Sequence, residues 1–177
     1  KAENKTELAR AIELAAGFDR KVVVEQGVND PREIEISVLG NDEPIASVPG
    51  EIIPSNEFYD YDAKYVDGKS RMEIPAKLPK DVSKQIREYA LKAYRTLDLC
   101  GMARVDFLVK RGSNRIFLSE VNTIPGFTSI SMYPKLWEAS GLPYPKLLDT
   151  LIELAITRHK EKNQLNTSFD SGSDWYK

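Results

Sequence analysis

The stretch ARVDFLVKRGSNRIFLSEVNTIPGFT, residues 103–128, decides the fold. Two apolar-rich runs, 103–109 and 115–121, flank Arg111-Gly112-Ser113-Asn114, a turn-forming quartet. Pairing them antiparallel about Ser113 sets Asp106 opposite Glu120 and Arg104 opposite Asn122. Side chains alternate along a strand, so these four share one face, which Leu108, Ile116 and Leu118 continue towards the turn. The hairpin is thus expected to carry an apolar floor near its turn and a polar cluster at its far end.

Two facing carboxylates repel each other unless something positive lies between them. Asp106, Glu120 and the amide of Asn122 form a hard-oxygen set suited to Mg²⁺, an ion that keeps several waters and takes its remaining ligands from phosphates. At the edge, the Arg104 guanidinium suits a phosphate or a developing oxyanion. The plainer alternative is a solvated strand end in which Arg104 neutralises Asp106 and Glu120.

Upstream, Asn4 and Glu7 have capping-box spacing, Leu8, Ile12 and Ala15 follow at helical intervals, and Gly17 is placed to stop the helix. Val22-Val23-Val24-Glu25 reads as a buried strand, left through Gln26-Gly27-Val28. Ile34, Ile36 and Val38 alternate with Glu33, Glu35 and Ser37, which predicts a half-buried strand ending at Gly40-Asn41, with residues 45–48 as its partner. In residues 54–70 the periodicity is lost among Phe58, Tyr59, Tyr61, Lys64 and Tyr65, an aromatic-rich loop of the kind that serves function. The recurrence of Val82, Ile86, Tyr89, Ala90, Ala93 and Leu97 predicts an amphipathic helix over 81–98, and Leu147 to Ala155 marks a last helix before a polar tail.

The chain has 177 residues, a formal net charge of −2 and both signs spread along it, so no basic field points to nucleic acid. A single cysteine, Cys100, excludes an internal disulfide and a cysteine zinc cluster, and fits a reducing, cytoplasmic compartment. No stretch has membrane-spanning length. Lys1 rather than Met opens the sequence, which fits a fragment.

Taken together, EVNTIPGFT, GMARVDFLV, FYDYDAKY and SMYPKLWEASGLPYPKLL closely resemble the D-alanine–D-alanine ligases of the ATP-grasp superfamily, over residues 1–160. The resemblance implies an α+β fold with a mostly antiparallel sheet covered by helices. It assigns residues 1–25 to a remnant of the ATP-grasp central domain, 26–160 to the C-terminal domain and 161–177 to a flexible polar tail. The earlier half of the family, with the first D-alanine site and a glycine-rich loop, is not in this sequence.

The implied reaction uses ATP to phosphorylate one D-alanine, whose acyl phosphate is then attacked by the amine of a second. Asp106, Glu120 and Asn122 would hold Mg²⁺ or Mn²⁺, two ions with Glu120 shared between them. Arg104 and the backbone N–H of Gly126 would stabilise the tetrahedral oxyanion, and Ser131 with the Met132 backbone would meet the carboxylate of the second D-alanine. Glu25, Gln26 and Val28 match the adenine hinge, Leu108 and Leu118 line the nucleotide pocket, and Glu33 matches the ribose acid, with Glu35 as its alternative. Phe58 would stack on adenine, Lys64 would contact the transferring phosphate and Tyr65 would orient the second substrate. Tyr65 rather than Phe implies D-alanine as acceptor. The family further implies a homodimer for the full-length enzyme. Two alternatives stand beside this one: a nucleotide-binding module without turnover of its own, and a D-alanine–D-lactate ligase.

Overall fold

The computed structural model describes residues 1–53, 71–128 and 130–166. The expected loop roles of Phe58, Lys64 and Tyr65, like most of the expected tail, lie outside the described residues. The chain divides into two compact units, Lys1–Pro31 and Arg32–Lys177.

In the first unit, helix α1 (Lys5–Ala16) is started and stopped as its sequence predicts. The Asn4 side chain accepts from the Glu7 N–H at 3.0 Å, and Gly17 forms the C-cap. Glu7 reaches back to accept from the Glu3 N–H at 2.7 Å, one residue before the position a regular capping box uses. The expected strand at residues 22–25 is absent: residues 21–28 have no regular secondary structure, and Val23 and Val24 are 71% and 59% exposed. β-Branched residues favour an extended backbone, but a strand exists only when a partner takes its N–H and C=O groups. Among the described residues none does.

The second unit is built on a six-stranded sheet. Its strands are β1 (Pro31–Gly40), β2 (Ile45–Ala46), β3 (Gly50–Ile53), β4 (Arg71–Glu73), β5 (Gly101–Lys110) and β6 (Ile116–Asn122). The order is β4-β3-β1-β5-β6, with β2 also paired to β1. The β1–β2, β1–β3, β3–β4 and β5–β6 pairs are antiparallel.

Helix α2 (Lys80–Thr96) covers one face. Its residues Val82, Ile86, Ala90 and Tyr94 meet Ile34, Ile36 and Val38 of β1 and Ala103, Val105, Phe107 and Val109 of β5 in one buried cluster. Tyr89 and Leu97, expected on this stripe, are instead exposed, and Tyr94 takes the place. The four-residue interval 82-86-90-94 sits squarely under the sheet, whereas Tyr89 falls on the flank and Leu97 is the C-cap.

The opposite face is covered only in part. Helices α3 (Met132–Ala139) and α4 (Tyr144–Asn163) pack Tyr133, Trp137 and Leu147 on Leu39, while Met132 and Leu136 pack on Ile52. Helix α3 goes unassigned in the sequence reading, although Met132, Tyr133, Leu136 and Trp137 have helical spacing; its Pro134 lies in the first turn, where no intrahelical N–H is lost. Helix α4 runs to Asn163, beyond the expected start of the polar tail.

Strand β1 is not half-buried as predicted. Every residue from Ile34 to Gly40 is buried, Glu35 and Ser37 included, because β1 lies between β3 and β5 with helices reaching both faces. Its polar side chains are matched inside: Ser37 Oγ donates to the Tyr133 carbonyl at 3.2 Å. Two phenols brace its end, Tyr94 donating to the Gly40 carbonyl at 2.7 Å and Tyr133 to the Val38 carbonyl at 3.0 Å. Burial raises the pKa of both phenols, which keeps them protonated donors at any ordinary pH. Tyr94→Phe is therefore expected to destabilise the unit by about 1–2 kcal/mol, since a buried carbonyl loses its donor. A urea midpoint equal to wild type would show the bond to be dispensable.

Candidate functional site

On the face away from α2, residues of β1, β5 and β6 converge. The hairpin has the predicted register where it matters: Asp106 is paired with Glu120 and Arg104 with Asn122. Nearer the turn the prediction fails. The register shifts between Asp106 and Phe107, so Leu108 faces Phe117 rather than Leu118, while Leu118 aligns with Phe107 and Ile116 with Val109. One extra residue, Ser119, enters β6 as a bulge, and each residue beyond it changes partner. Ile116 consequently packs against the α2-side core, and Leu118 is 54% exposed.

The polar end is tightly cross-linked. Arg104 forms a two-pronged contact with Asp106, Nε to Oδ1 at 2.8 Å and Nη2 to Oδ2 at 2.7 Å. The Asn122 amide N–H₂ donates to Asp106 Oδ2 and Glu120 Oε1, both at 3.2 Å. From the neighbouring strand, Glu35 Oε2 lies 3.0 Å from Arg104 Nε. Burial disfavours the Arg104 charge, but the Asp106 hydrogen bond and the charges of Glu35, Asp106 and Glu120 outweigh it and raise the pKa. Arg104 stays a cation throughout. Burial also holds the Asp106 pKa above its ordinary value; Arg104 pulls it down less than burial and Glu120 together push it up.

The donor set fits a divalent cation by its chemistry. Two carboxylates and an amide oxygen are hard ligands, and the Asn122 amide N–H₂ stands between the two acids as a positive edge would. Exchanging the amide oxygen and nitrogen, whose assignment follows the hydrogen-bond network, turns that bridge into a third oxygen ligand. Among the described residues no group of three or more His, Cys, Asp and Glu side chains is set to hold a metal.

Other predicted residues are placed as follows. Ser131 is the N-cap of α3; its Oγ accepts from the Thr128 N–H at 2.9 Å, and Met132 opens the helix with its side chain buried. Gly126 lies against this cap so closely that a Cβ there would stand 3.0 Å from Ser131 Oγ. Glu33 lies two residues before Glu35 on β1, so both belong to the site's face. Glu25, Gln26 and Val28 belong to the first unit. The contact between Glu35 and Arg104 was missed from sequence, where the only signal was an acid at a strand position that proves buried.

The helix-covered antiparallel sheet that carries this cluster is the fold of the ATP-grasp ligases, as the solved structures show. The ligase from Coxiella burnetii matches with a TM-score of 0.80 at 45% identity, over 92% of this chain and 42% of that one. The Bacillus anthracis ligase complexed with ATP matches with a TM-score of 0.74 at 33% identity, over 91% of this chain and 51% of that one. A D-alanine–D-alanine ligase of Thermoanaerobacter sp. (strain X514) is 60% identical over 163 residues, 92% of this chain and 45% of its own length. The model of the D-Ala–D-Ala ligase C-terminus matches residues 1–153, and the chain belongs to that family. It spans about half the length of the curated relatives it matches.

Proposed function

We propose that this chain is the nucleotide- and metal-binding part of an ATP-dependent ligase that joins two D-alanine molecules into D-alanyl-D-alanine for the peptidoglycan precursor. The observation that carries the reading is the cluster of Arg104, Asp106, Glu120 and Asn122 on one sheet face. In the reaction, a carboxylate oxygen of the first D-alanine attacks the γ-phosphorus of ATP and ADP leaves. The amine of the second then attacks the acyl carbon, phosphate departs with the bonding pair, and the amine loses a proton.

Asp106, Glu120 and Asn122 would hold Mg²⁺ or Mn²⁺, two ions with Glu120 common to both. Such ions neutralise the phosphate oxygens as charge builds on them. Arg104 and the Gly126 N–H stabilise the oxyanion at the acyl carbon, where donors fixed in advance act without reorganising. A side chain at position 126 would crowd Ser131, so only glycine lets backbone and cap both approach the reacting group. Ser131 and the Met132 N–H, at the start of α3, receive the carboxylate of the second D-alanine, as a helix N-terminus favours an anion.

Glu25, Gln26 and Val28 keep the adenine role that the resemblance gives them; Glu33 takes the ribose, and Leu108, with Phe117 beside it, lines the nucleotide pocket, whereas Leu118, aligned with Phe107, falls on the other face. Phe58, Lys64 and Tyr65 keep the roles that the resemblance gives them. On this reading the intact enzyme works in the cytoplasm as a homodimer on small substrates, with neither nucleic acid nor membrane as partner. No helix among the described residues is long and apolar enough to cross a membrane.

The test joins this chain to the preceding half of the Thermoanaerobacter relative and follows phosphate release. Release that requires D-alanine, with dipeptide as product, is the expected result. No phosphate release would leave only a nucleotide-binding module, and D-lactate ester as the main product would move the assignment to the depsipeptide ligases.

A further inference from the structure

Glu35 has no part in the scheme above, yet it is one of the most enclosed charges in the chain, 7% exposed on a central strand. Its carboxylate meets Arg104 Nε at 3.0 Å, the same nitrogen that donates to Asp106 Oδ1 at 2.8 Å. Arg104 is therefore shared between two acids of different standing. Asp106 is paired across the hairpin with Glu120 and belongs to the metal set; Glu35 lies on β1, outside that set.

A cation arriving at Asp106 draws on the oxygens that now hold Arg104, and it repels the guanidinium. An arginine with Asp106 as its sole acid would have to surrender its main partner or keep the metal out. With a second, buried carboxylate, the guanidinium retains a partner while Asp106 turns to the metal.

We propose that Glu35 is a positioning residue, anchoring Arg104 from β1 so that Asp106 is released to a divalent cation while the guanidinium remains at the reacting centre. This rests on the metal reading given under Proposed function. The role differs from that of a packing residue because it acts through Arg104 alone, and so must vanish when Arg104 is removed.

The experiment measures Mn²⁺ binding to the 177-residue chain in the presence of ADP, by water-proton relaxation. Glu35→Gln is nearly isosteric and is expected to weaken Mn²⁺ about tenfold, the low end of what outer partners of a metal ligand set contribute. In an Arg104→Met background the same change is expected to have an effect of under about twofold, a coupling that an independent structural role would not produce. Equal Mn²⁺ affinity for wild type and Glu35→Gln, or the same loss in both backgrounds, overturns the proposal. If thermal scans show Glu35→Gln or the double variant unfolded, Glu35→Asp, which keeps the charge but shortens its reach, carries the test. It should weaken Mn²⁺ by a smaller factor than tenfold, and no change would again overturn it. Absence of Mn²⁺ binding by wild type with ADP would instead sink the metal reading itself, and this inference with it.

Discussion

Glu120→Gln should abolish Mg²⁺-dependent turnover in an intact ligase carrying this chain, by roughly a factor of a thousand or more, with the fold unchanged. The side chain pairs across the hairpin with Asp106 and accepts from Asn122 at 3.2 Å, so a neutral amide removes charge from the cluster and little packing. A metal that acts as a Lewis acid on phosphoryl oxygens contributes several kcal/mol, and each ~1.4 kcal/mol is about tenfold in rate. Loss of the carboxylate leaves only Asp106 and Glu35 against Arg104, so the site attracts a dication less strongly. The measurement is phosphate release across a Mg²⁺ titration, alongside a urea melt. Wild-type turnover with an unshifted Mg²⁺ dependence would take Glu120 out of the metal set.

The largest expected effect on stability is at Gly40. Its φ of 137° is closed to side-chain-bearing residues, and a Cβ there would lie 2.8 Å from the Pro44 Cα, which is backbone and cannot swing aside. Its carbonyl is also the acceptor for Tyr94 at 2.7 Å, so a backbone shift that relieves the clash pulls on a buried hydrogen bond. Strain of about 1–3 kcal/mol and overpacking of about 1–3 kcal/mol act together, and Gly40→Ala should lose about 3 kcal/mol or more. Chemical denaturation decides it: a midpoint within error of wild type would mean that the turn after β1 relaxes freely. Metal binding in whatever fraction remains folded should be unchanged, because Gly40 lies at the end of β1, five residues from Glu35.

Much of the candidate site's arrangement was legible in the sequence. Asp106, Glu120, Arg104 and Asn122 were placed on one face by alternation and a four-residue turn alone, and their pairing is as predicted. Two readings went wrong for the same reason. The Val22-Val23-Val24 run looked like a strand and is not paired among the described residues, and the Leu108 floor meets Phe117 because Ser119 is an extra residue in β6. In both, propensity was read correctly, but pairing depends on what lies alongside, which propensity does not contain.

The sequence by itself determined the elements whose signal is local: the hairpin with its acids and amide in phase, the α2 stripe from Val82 to Tyr94, and the capped start of α1. These follow from fixed backbone periods of 2 and 3.6 residues, which act within a few positions and so leave a regular mark. The tertiary structure decided that β1 lies beside β5, and hence that Glu35 meets Arg104 from a strand the hairpin reading never touched. It also buried both faces of β1, turning an apparent solvent face into one that holds a charge pair. Those choices are set by which apolar surfaces are covered once distant segments pack, an energy that depends on the whole sheet and leaves no periodic trace in the strand itself.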